Sequence, residues 1–242
     1  MYNERLKENL KKLVKKYFSK DYIKNIDSFK DTPHCLVDAK VYSIIIPFII
    51  VNDDIYILLE KRSAFVKQPF ELSFPGGQKE EHEDSSLISA LRECEEEIGL
   101  ARQSFSKIKF CGFFANLKTV IYVFSAMVKP EICRKIEKQL KFNSNEKSKV
   151  IFQNENEVEK IILFPFEILT FPPKEFNIEY KGHINNLPDN INFKNIIIKN
   201  YLNEGFYLPY IRKISYWEYE DEILWGYSAD IIHMVTKQII NS

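Results

Sequence analysis

No stretch of this sequence stays apolar long enough to cross a bilayer. The longest such run, Ile44 to Val51, is about one strand in length, well short of the ~20 residues a membrane helix needs. An excess of charge of either sign is also missing, since 34 basic residues stand against 34 acidic ones. That excludes a global basic field for nucleic acid or an anionic membrane, though local patches remain open. Cysteine is sparse: Cys35, Cys94, Cys111 and Cys133 lie far apart with no C-x-x-C spacing. A zinc site, a thioredoxin-like motif and a disulfide framework are therefore unsupported, and reduced thiols in a cytoplasmic protein are expected. Tyr2 to Lys24 is charged throughout, unlike a secretory signal. The last residues, Ile240-Asn241-Ser242, differ from the peroxisomal S-K-L address. Glycine is scarce too, with seven residues, about 3% where ~7% is usual. Places where glycines gather are correspondingly informative.

What is present suffices for a full core. Apolar residues make up 45% of the chain and aromatics 14%, enough for one domain with additions or a small second unit. Leu6, Leu10, Leu13, Val14, Tyr17 and Phe18 recur at helical spacing among lysines, which predicts an amphipathic helix over residues 3–19 packed on the domain. A basic membrane-surface helix or a dimer helix is the alternative, so a homodimer stays open. Two apolar runs, 41–51 and 55–62, flank Asn52-Asp53-Asp54 and read as a hairpin. Ser85 or Ser86 is placed to cap a helix that runs to Ile98 and stops at Gly99. Strands are expected at 107–114 and 119–128, a short helix at 131–141, a strand and helical turn at 159–169, two strands within 214–227 and a closing helix from Ala229 to Ile240. Residues 170–206, rich in Asn, Pro and Lys, read as an irregular insertion. Without strict β-α alternation the fold class is α+β, layered as an α/β/α sandwich. Residues 1–39 form an N-terminal helical extension, expected to be separable from the chemistry, and residues 40–242 the main domain.

The predicted helix 86–98 carries the chemistry. Each residue turns by about 100°, which puts Glu96 about 60° to one side of Glu93 and Glu97 about 40° to the other, with Glu95 pointing away. A solvated acidic face is the ordinary meaning of such a run. It fits poorly here, because Glu93 and Glu97 repel at i, i+4 and no lysine follows at the next i+4 positions. The cluster also lies toward the helix C-terminus, where the macrodipole disfavours anions. These penalties point to a cation from outside the chain, and clustered carboxylates suit Mg²⁺ or Mn²⁺. Three of the scarce glycines, Gly76, Gly77 and Gly99, bracket this helix. Adjacent glycines permit close approach of main chain to a ligand, and phosphate held through a metal is the natural guest.

Arg92-Glu93-Cys94-Glu95-Glu96-Glu97-Ile98-Gly99-Leu100 resembles the end of the Nudix box, R-E-U-x-E-E-x-G-U with U apolar. Gly77 and Glu83 match its front half, and eight residues rather than seven separate Glu83 from Arg92. That extra residue resembles the coenzyme A pyrophosphatase branch. The resemblance implies metal ligation by Glu93, Glu96, Glu97 and the Gly76 carbonyl, with Arg92 orienting a carboxylate and Glu83 holding the loop. It implies Glu93 or Glu157 as general base.

The flank 58–77 resembles that branch's signature, L-L-x-x-R-S-x-x-x-R-x-x-x-G-x-V-x-F-P-G-G, at Leu58, Leu59, Arg62, Ser63, Phe74, Pro75, Gly76 and Gly77. Lys67 stands at the second arginine, the stretch is one residue short, and Phe70 or Glu71 stands at the glycine. Segments 156–169 and 223–235 resemble later parts of the same branch. The implied reaction is hydrolysis of coenzyme A to 3′,5′-ADP and 4′-phosphopantetheine, with Arg62, Lys61 and Lys67 as phosphate contacts. The alternatives are a Nudix hydrolase acting on ADP-ribose, a dinucleoside polyphosphate or a nucleoside triphosphate, and a non-catalytic nucleotide sensor. A small nucleotide is the expected partner, with no nucleic acid and no membrane.

Overall fold

The computed structural model describes residues 2–31, 39–115, 118–142, 154–180 and 210–242. β-branched and aromatic residues crowd the run that forms strand β1 (Lys40–Val51), and β2 (Asp54–Arg62) returns beside it. Asn52 and Asp53 join them at φ 47° and 69°, the left-handed pair whose twist suits a tight hairpin. Short strands β3 (Leu72–Ser73) and β4 (Gly76–Gln78) lead to helix α2 (Ser86–Ile98). Strands β5 (Phe105–Ala115) and β6 (Thr119–Val128), helix α3 (Pro130–Phe142), strand β7 (Val158–Pro165) and the turn α4 (Phe166–Leu169) follow.

The main sheet runs β3-β2-β1-β6-β5, with β4 also pairing β1 and β7 also pairing β2. β1 and β6 are parallel, and the remaining pairs are antiparallel. Its central strands are buried on both faces, as their nearly unbroken apolar runs demand. On one face Ile45, Ile49 and Leu58 meet Leu87, Leu91, Cys94 and Ile98 of α2 and Ile136 of α3. On the other, Ile46, Phe48, Ile57 and Leu59 meet α1 (Tyr2–Tyr17) and α5 (Gly226–Ile240). Helices thus cover both sides of a mixed sheet, the α/β/α arrangement expected.

Two expectations change. Part of the stretch read as an irregular insertion is a strand: β8 (Lys174–Tyr180) pairs with β9 (Tyr210–Tyr219), which pairs with β10 (Glu222–Trp225) to make a second, three-stranded sheet. Phe176, Ile178 and Tyr180 alternate with polar residues there, a strand signal that the surrounding Asn and Pro masked. Residues 181–206 of that expected insertion lie outside the described residues, as does Cys35. Cys94, Cys111 and Cys133 are free, buried thiols, as anticipated. The closing helix also begins earlier, at Gly226, whose φ of 65° turns β10 straight into α5. Among the described residues no helix is long and apolar enough to cross a membrane.

The N-terminal helix packs on the domain, and more deeply than a separable extension would. Leu10, Val14, Tyr17 and Phe18 are buried in the same core as α5. The Tyr17 hydroxyl bonds with Cys111 Sγ at 3.2 Å and Ser125 Oγ at 3.3 Å. Burying an apolar side chain of this size contributes roughly 1.5–3 kcal/mol, so deleting residues 1–24 removes a wall of the core. We expect Phe18→Ala to cost about 3–5 kcal/mol, read as a lowered midpoint in urea denaturation. A change below about 1 kcal/mol would show that this packing is not maintained in solution.

Candidate functional site

Helix α2 delivers its carboxylates under a glycine turn. Gly99 ends it at φ 76°, where its N–H bonds back to Glu95 O at 3.0 Å, the left-handed stop for which glycine is suited. Its first turn is capped from a distance. Ser85 occupies the cap position without a side-chain bond, and Asp31 Oδ1 accepts instead from the Ser86 N–H at 2.8 Å. The expected local cap is thus replaced by a remote carboxylate.

The predicted helix face divides in depth. Glu97 is buried, Glu93 is half-buried, and Glu96 and Glu95 are exposed. Glu97 Oε2 accepts from the Gly76 N–H at 2.8 Å, so the amide of Gly76 faces this carboxylate. Gly76 is required sterically by backbone, while Gly77 leaves room for the Glu93 carboxylate. A Cβ on Gly76 would stand 2.2 Å from the Ser43 carbonyl oxygen. One on Gly77 would stand 2.2 Å from Glu93 Oε1.

Arg92 organises the rest. Its Nε donates to Glu83 Oε1 at 2.9 Å, Nη2 to Glu93 Oε1 at 2.8 Å and Nη1 to Glu96 Oε2 at 2.8 Å. One fork thus orients the Glu93 carboxylate and also pairs along the helix with Glu96. Glu83 holds the loop as expected, its Oε2 accepting from the Glu80 N–H and the Ser89 hydroxyl. Burial pushes the Glu83 carboxyl up, but Arg92 and these donors outweigh burial and keep it ionised below the usual carboxylate range.

Glu60 on β2 has no counterpart among the predicted site residues. It is 1% exposed. Its Oε1 accepts from Ser73 Oγ at 2.9 Å, while its Oε2 is buried without a donor. Glu97 lies within bonding reach, but two carboxyls bond only when one carries a proton. Burial, and then the charge of Glu60, raises Glu97 well above the ordinary range, and burial raises Glu60 as well. Glu93 is raised chiefly by burial. Glu157, itself exposed, adds its negative charge to Glu60, Glu93 and Glu97 alike. The signal for Glu60 was strand parity: it shares a face with Leu58, which packs under α2.

The predicted phosphate contacts fare unequally. Lys61 points away from Glu60 and pairs at 3.2 Å with Glu222, which also holds Lys160 at 2.6 Å. Lys61 is therefore committed to joining the two sheets. The Lys67 side chain is exposed, and it is the Lys67 carbonyl that binds Arg62 Nε, at 2.9 Å. Arg62 stays beside the cluster, with Nη1 3.8 Å from Glu60 Oε1. Ser63 Oγ donates to Asn156 O at 2.6 Å, and its N–H donates to Glu157 O at 2.8 Å. That pair positions the Glu157 loop. Phe70, which with Glu71 stands at the place where the branch pattern has glycine, sits at φ 65°. A bulky residue in this left-handed conformation bears a strain of about 1–2 kcal/mol.

Among the described residues no three His, Cys, Asp or Glu side chains are gathered as a ready metal cage, because Arg92 draws Glu93 and Glu96 to itself. The donor set nevertheless fits a hard divalent ion. It has hard oxygen ligands, a buried orphan oxygen on Glu60 and a like-charge excess that, among the described residues, no buried lysine offsets.

The sequence model described as NUDIX domain matches residues 42–186. A mouse (Mus musculus) protein, peroxisomal coenzyme A diphosphatase NUDT7, is 30% identical over 70 residues, which span 28% of this chain and 30% of that relative. A MutT/nudix family protein from Enterococcus faecalis aligns with a TM-score of 0.49 at 12% identity, covering 88% of this chain and 66% of the other. The NUDIX domain of Shewanella oneidensis NrtR, complexed with ADP ribose, aligns with a TM-score of 0.41 at 14% identity over 65% of this chain and 86% of its own. Identities this low leave substrate undetermined.

Two substitutions test this geometry. Gly77→Ala meets only the Glu93 side chain, which can be pushed off its Arg92 bond without moving backbone, so stability should change little while a diphosphatase rate falls about 100-fold. Gly76→Ala meets backbone and should unfold the loop; equal damage from the two would refute the assignment. Carboxyls raised on folding bind protons that the unfolded chain releases, so stability in chelator should fall as pH rises above the ordinary carboxylate range. Glu60→Gln should raise the melting temperature in chelator, flatten that decline and shrink the gain produced by Mn²⁺. A lowered melting temperature with an unchanged Mn²⁺ gain would argue that Glu60 is structural.

Proposed function

The chain belongs to the NUDIX domain family, and from that membership we propose that it hydrolyses a nucleoside diphosphate linked to a second moiety, with coenzyme A or a derivative as the substrate. The observation that carries the reading is the burial of Glu60 and Glu97 against each other beneath Gly76 and Gly77, with Glu93 half-buried beside them. Carboxylates so placed are unfavourable alone and favourable around a cation. Family members depend on divalent metal ions, and Mg²⁺ or Mn²⁺ is our choice for this chain, held by Glu60, Glu93 and Glu97 with Glu96 at the rim.

A bound divalent ion supplies charge neutralisation on the diphosphate. The chain's own residues do the remainder. Arg92 fixes the rotamers of Glu93 and Glu96. Glu93 or Glu157 accepts the proton of an attacking water. Glu93 is half-buried with a raised affinity for protons, whereas Glu157 is exposed on a loop pinned by Ser63. Gly77 keeps the space beside Glu93 clear of a side chain. The choice of coenzyme A rests on the flanking resemblance and on the match to the mouse diphosphatase, and a cytoplasmic location belongs to the same reading.

A panel of coenzyme A, ADP-ribose, dinucleoside polyphosphates and nucleoside triphosphates, assayed with Mg²⁺ and with Mn²⁺, tests this. Coenzyme A should give the highest kcat/KM, and Glu97→Gln should lower kcat by at least about 100-fold. Faster turnover of ADP-ribose would replace the substrate, and no turnover of any member would favour a nucleotide sensor.

A further inference from the structure

The edge of the main sheet carries a second feature that the carboxylate cluster does not use. A cavity of about 250 Å³ opens between β3 and the three-stranded sheet. It is smaller than the ~300–1,000 Å³ of a pocket for a whole drug-sized ligand, so it suits one part of a larger molecule. Arg62, Ser73, Arg212, Trp225, Tyr227 and Ser228 are among its lining residues. Two of them reach the carboxylate cluster directly: Ser73 donates to Glu60 Oε1, and Arg62 lies 3.8 Å from the same oxygen. The cavity is thus next door to the atoms assigned to the reaction.

Its chemistry is that of an anion site with a ring beside it. Arg62 and Arg212 contribute two cations, and Glu71 contributes one anion. Arg212 lies over the Tyr227 ring, its guanidinium carbon 4.2 Å from the centroid. One terminal nitrogen sits 3.5 Å from Asp230. Stacking plus that single anchor holds the planar fork in a fixed plane, and a guanidinium carries five donors. Trp225 and Tyr227 add aromatic surface. Both belong to the run Trp225-Gly226-Tyr227-Ser228, which Gly226 bends sharply at φ 65°. The loop between Arg62 and Leu72, which lines the cavity through Gln68 and Glu71, bears two exposed rings, Phe65 at 85% and Phe70 at 55%. Phe70 is held in its left-handed conformation while its N–H bonds to Arg62 O at 3.0 Å. A strained and exposed aromatic residue beside a cavity is a feature of ligand clamps.

We propose that this cavity is a subsite for a phosphomonoester carried on the nucleoside of the substrate, with Arg212 and Arg62 gripping the phosphate and the aromatic residues flanking the ring system. The inference rests on the diphosphate hydrolase reading and deepens it: Arg212, from the second sheet, becomes the residue that sets preference for an extra phosphate. Neither Lys61 nor Lys67, the lysines expected as phosphate contacts, is among the cavity's lining residues. The three-stranded sheet then has a function, which is to bring Arg212 to the edge of the catalytic layer.

The test separates binding from turnover. Affinities for adenosine 3′,5′-bisphosphate and for AMP are measured by calorimetry in chelator, on wild type, Arg212→Gln and Arg212→Lys. Wild type should bind the bisphosphate more tightly than AMP. Arg212→Gln should lose roughly tenfold in bisphosphate affinity, as expected for one charge-assisted contact, with AMP nearly unchanged. Arg212→Lys should retain part of the preference. If loss of the Asp230 pair unfolds Arg212→Gln, Arg62→Lys and Arg212→Lys carry the same comparison. Equal weakening toward both nucleotides, or no wild-type preference, overturns the subsite. Turnover of the diphosphate panel by wild type is read in parallel. Turnover with an unaltered preference in Arg212→Gln defeats the subsite alone. An Arg212-dependent preference without turnover of any diphosphate supports the subsite and defeats the hydrolase reading.

Discussion

Two carboxyl groups, Glu60 from the sheet and Glu97 from the helix above it, are forced together in the interior, the first accepting from the Ser73 hydroxyl and the second from the Gly76 amide. Much of the local architecture follows from tolerating that contact. Gly76 passes close enough for its N–H to meet Glu97 because no Cβ obstructs the Ser43 carbonyl. Ser73 answers one oxygen of Glu60 and leaves the other without a donor. Arg92 is attached to Glu83, Glu93 and Glu96, and the deepest pair is left with Arg62, 3.8 Å from Glu60 Oε1, as its nearby cation. A chain selected only for stability would have no use for such a pair, since apolar residues of similar volume pack there at lower cost. The instability is local and electrostatic, and the proposed divalent cation would relieve it.

The scaffold concentrates rigidity around this point. Helix α2 is buried along Leu87, Leu91, Cys94 and Ile98, so the carboxylates on its other side cannot drift. The sheet beneath is sealed on its far face by α1 and α5. The Glu157 loop, less buried, is tied back by Ser63 and by the Asn154 N–H on the Glu97 carbonyl at 3.0 Å. Buried carboxylates on a fixed helix and an exposed one on a tethered loop give the site both a precise floor and an adjustable rim. The proposed phosphate subsite extends that floor toward the second sheet.

Much of the layered fold was legible in the sequence because each signal was local. β-branched runs gave β1 and β6, the Asn52-Asp53 turn gave the hairpin, and Gly99 gave the helix stop. The acidic helix was legible for the same reason: four glutamates in five residues resist any ordinary explanation. What escaped was what depends on a partner distant in sequence. Asp31 caps α2 across 55 residues, and Lys61, a plausible phosphate contact by position, meets Glu222 across 161. β8 was hidden because its pairing strand begins 30 residues after it ends, with no short turn between to announce a hairpin.

The sequence by itself determined the elements, the glycine turn and the set Glu93, Glu96 and Glu97 on one helix face, because helical geometry and glycine's freedom are properties of a few neighbouring residues. Tertiary structure alone decided which of those carboxylates lie deep. It added Glu60, turned Lys61 away and set Arg212 beside Arg62, because burial and charge pairing depend on which surfaces the sheets bring together.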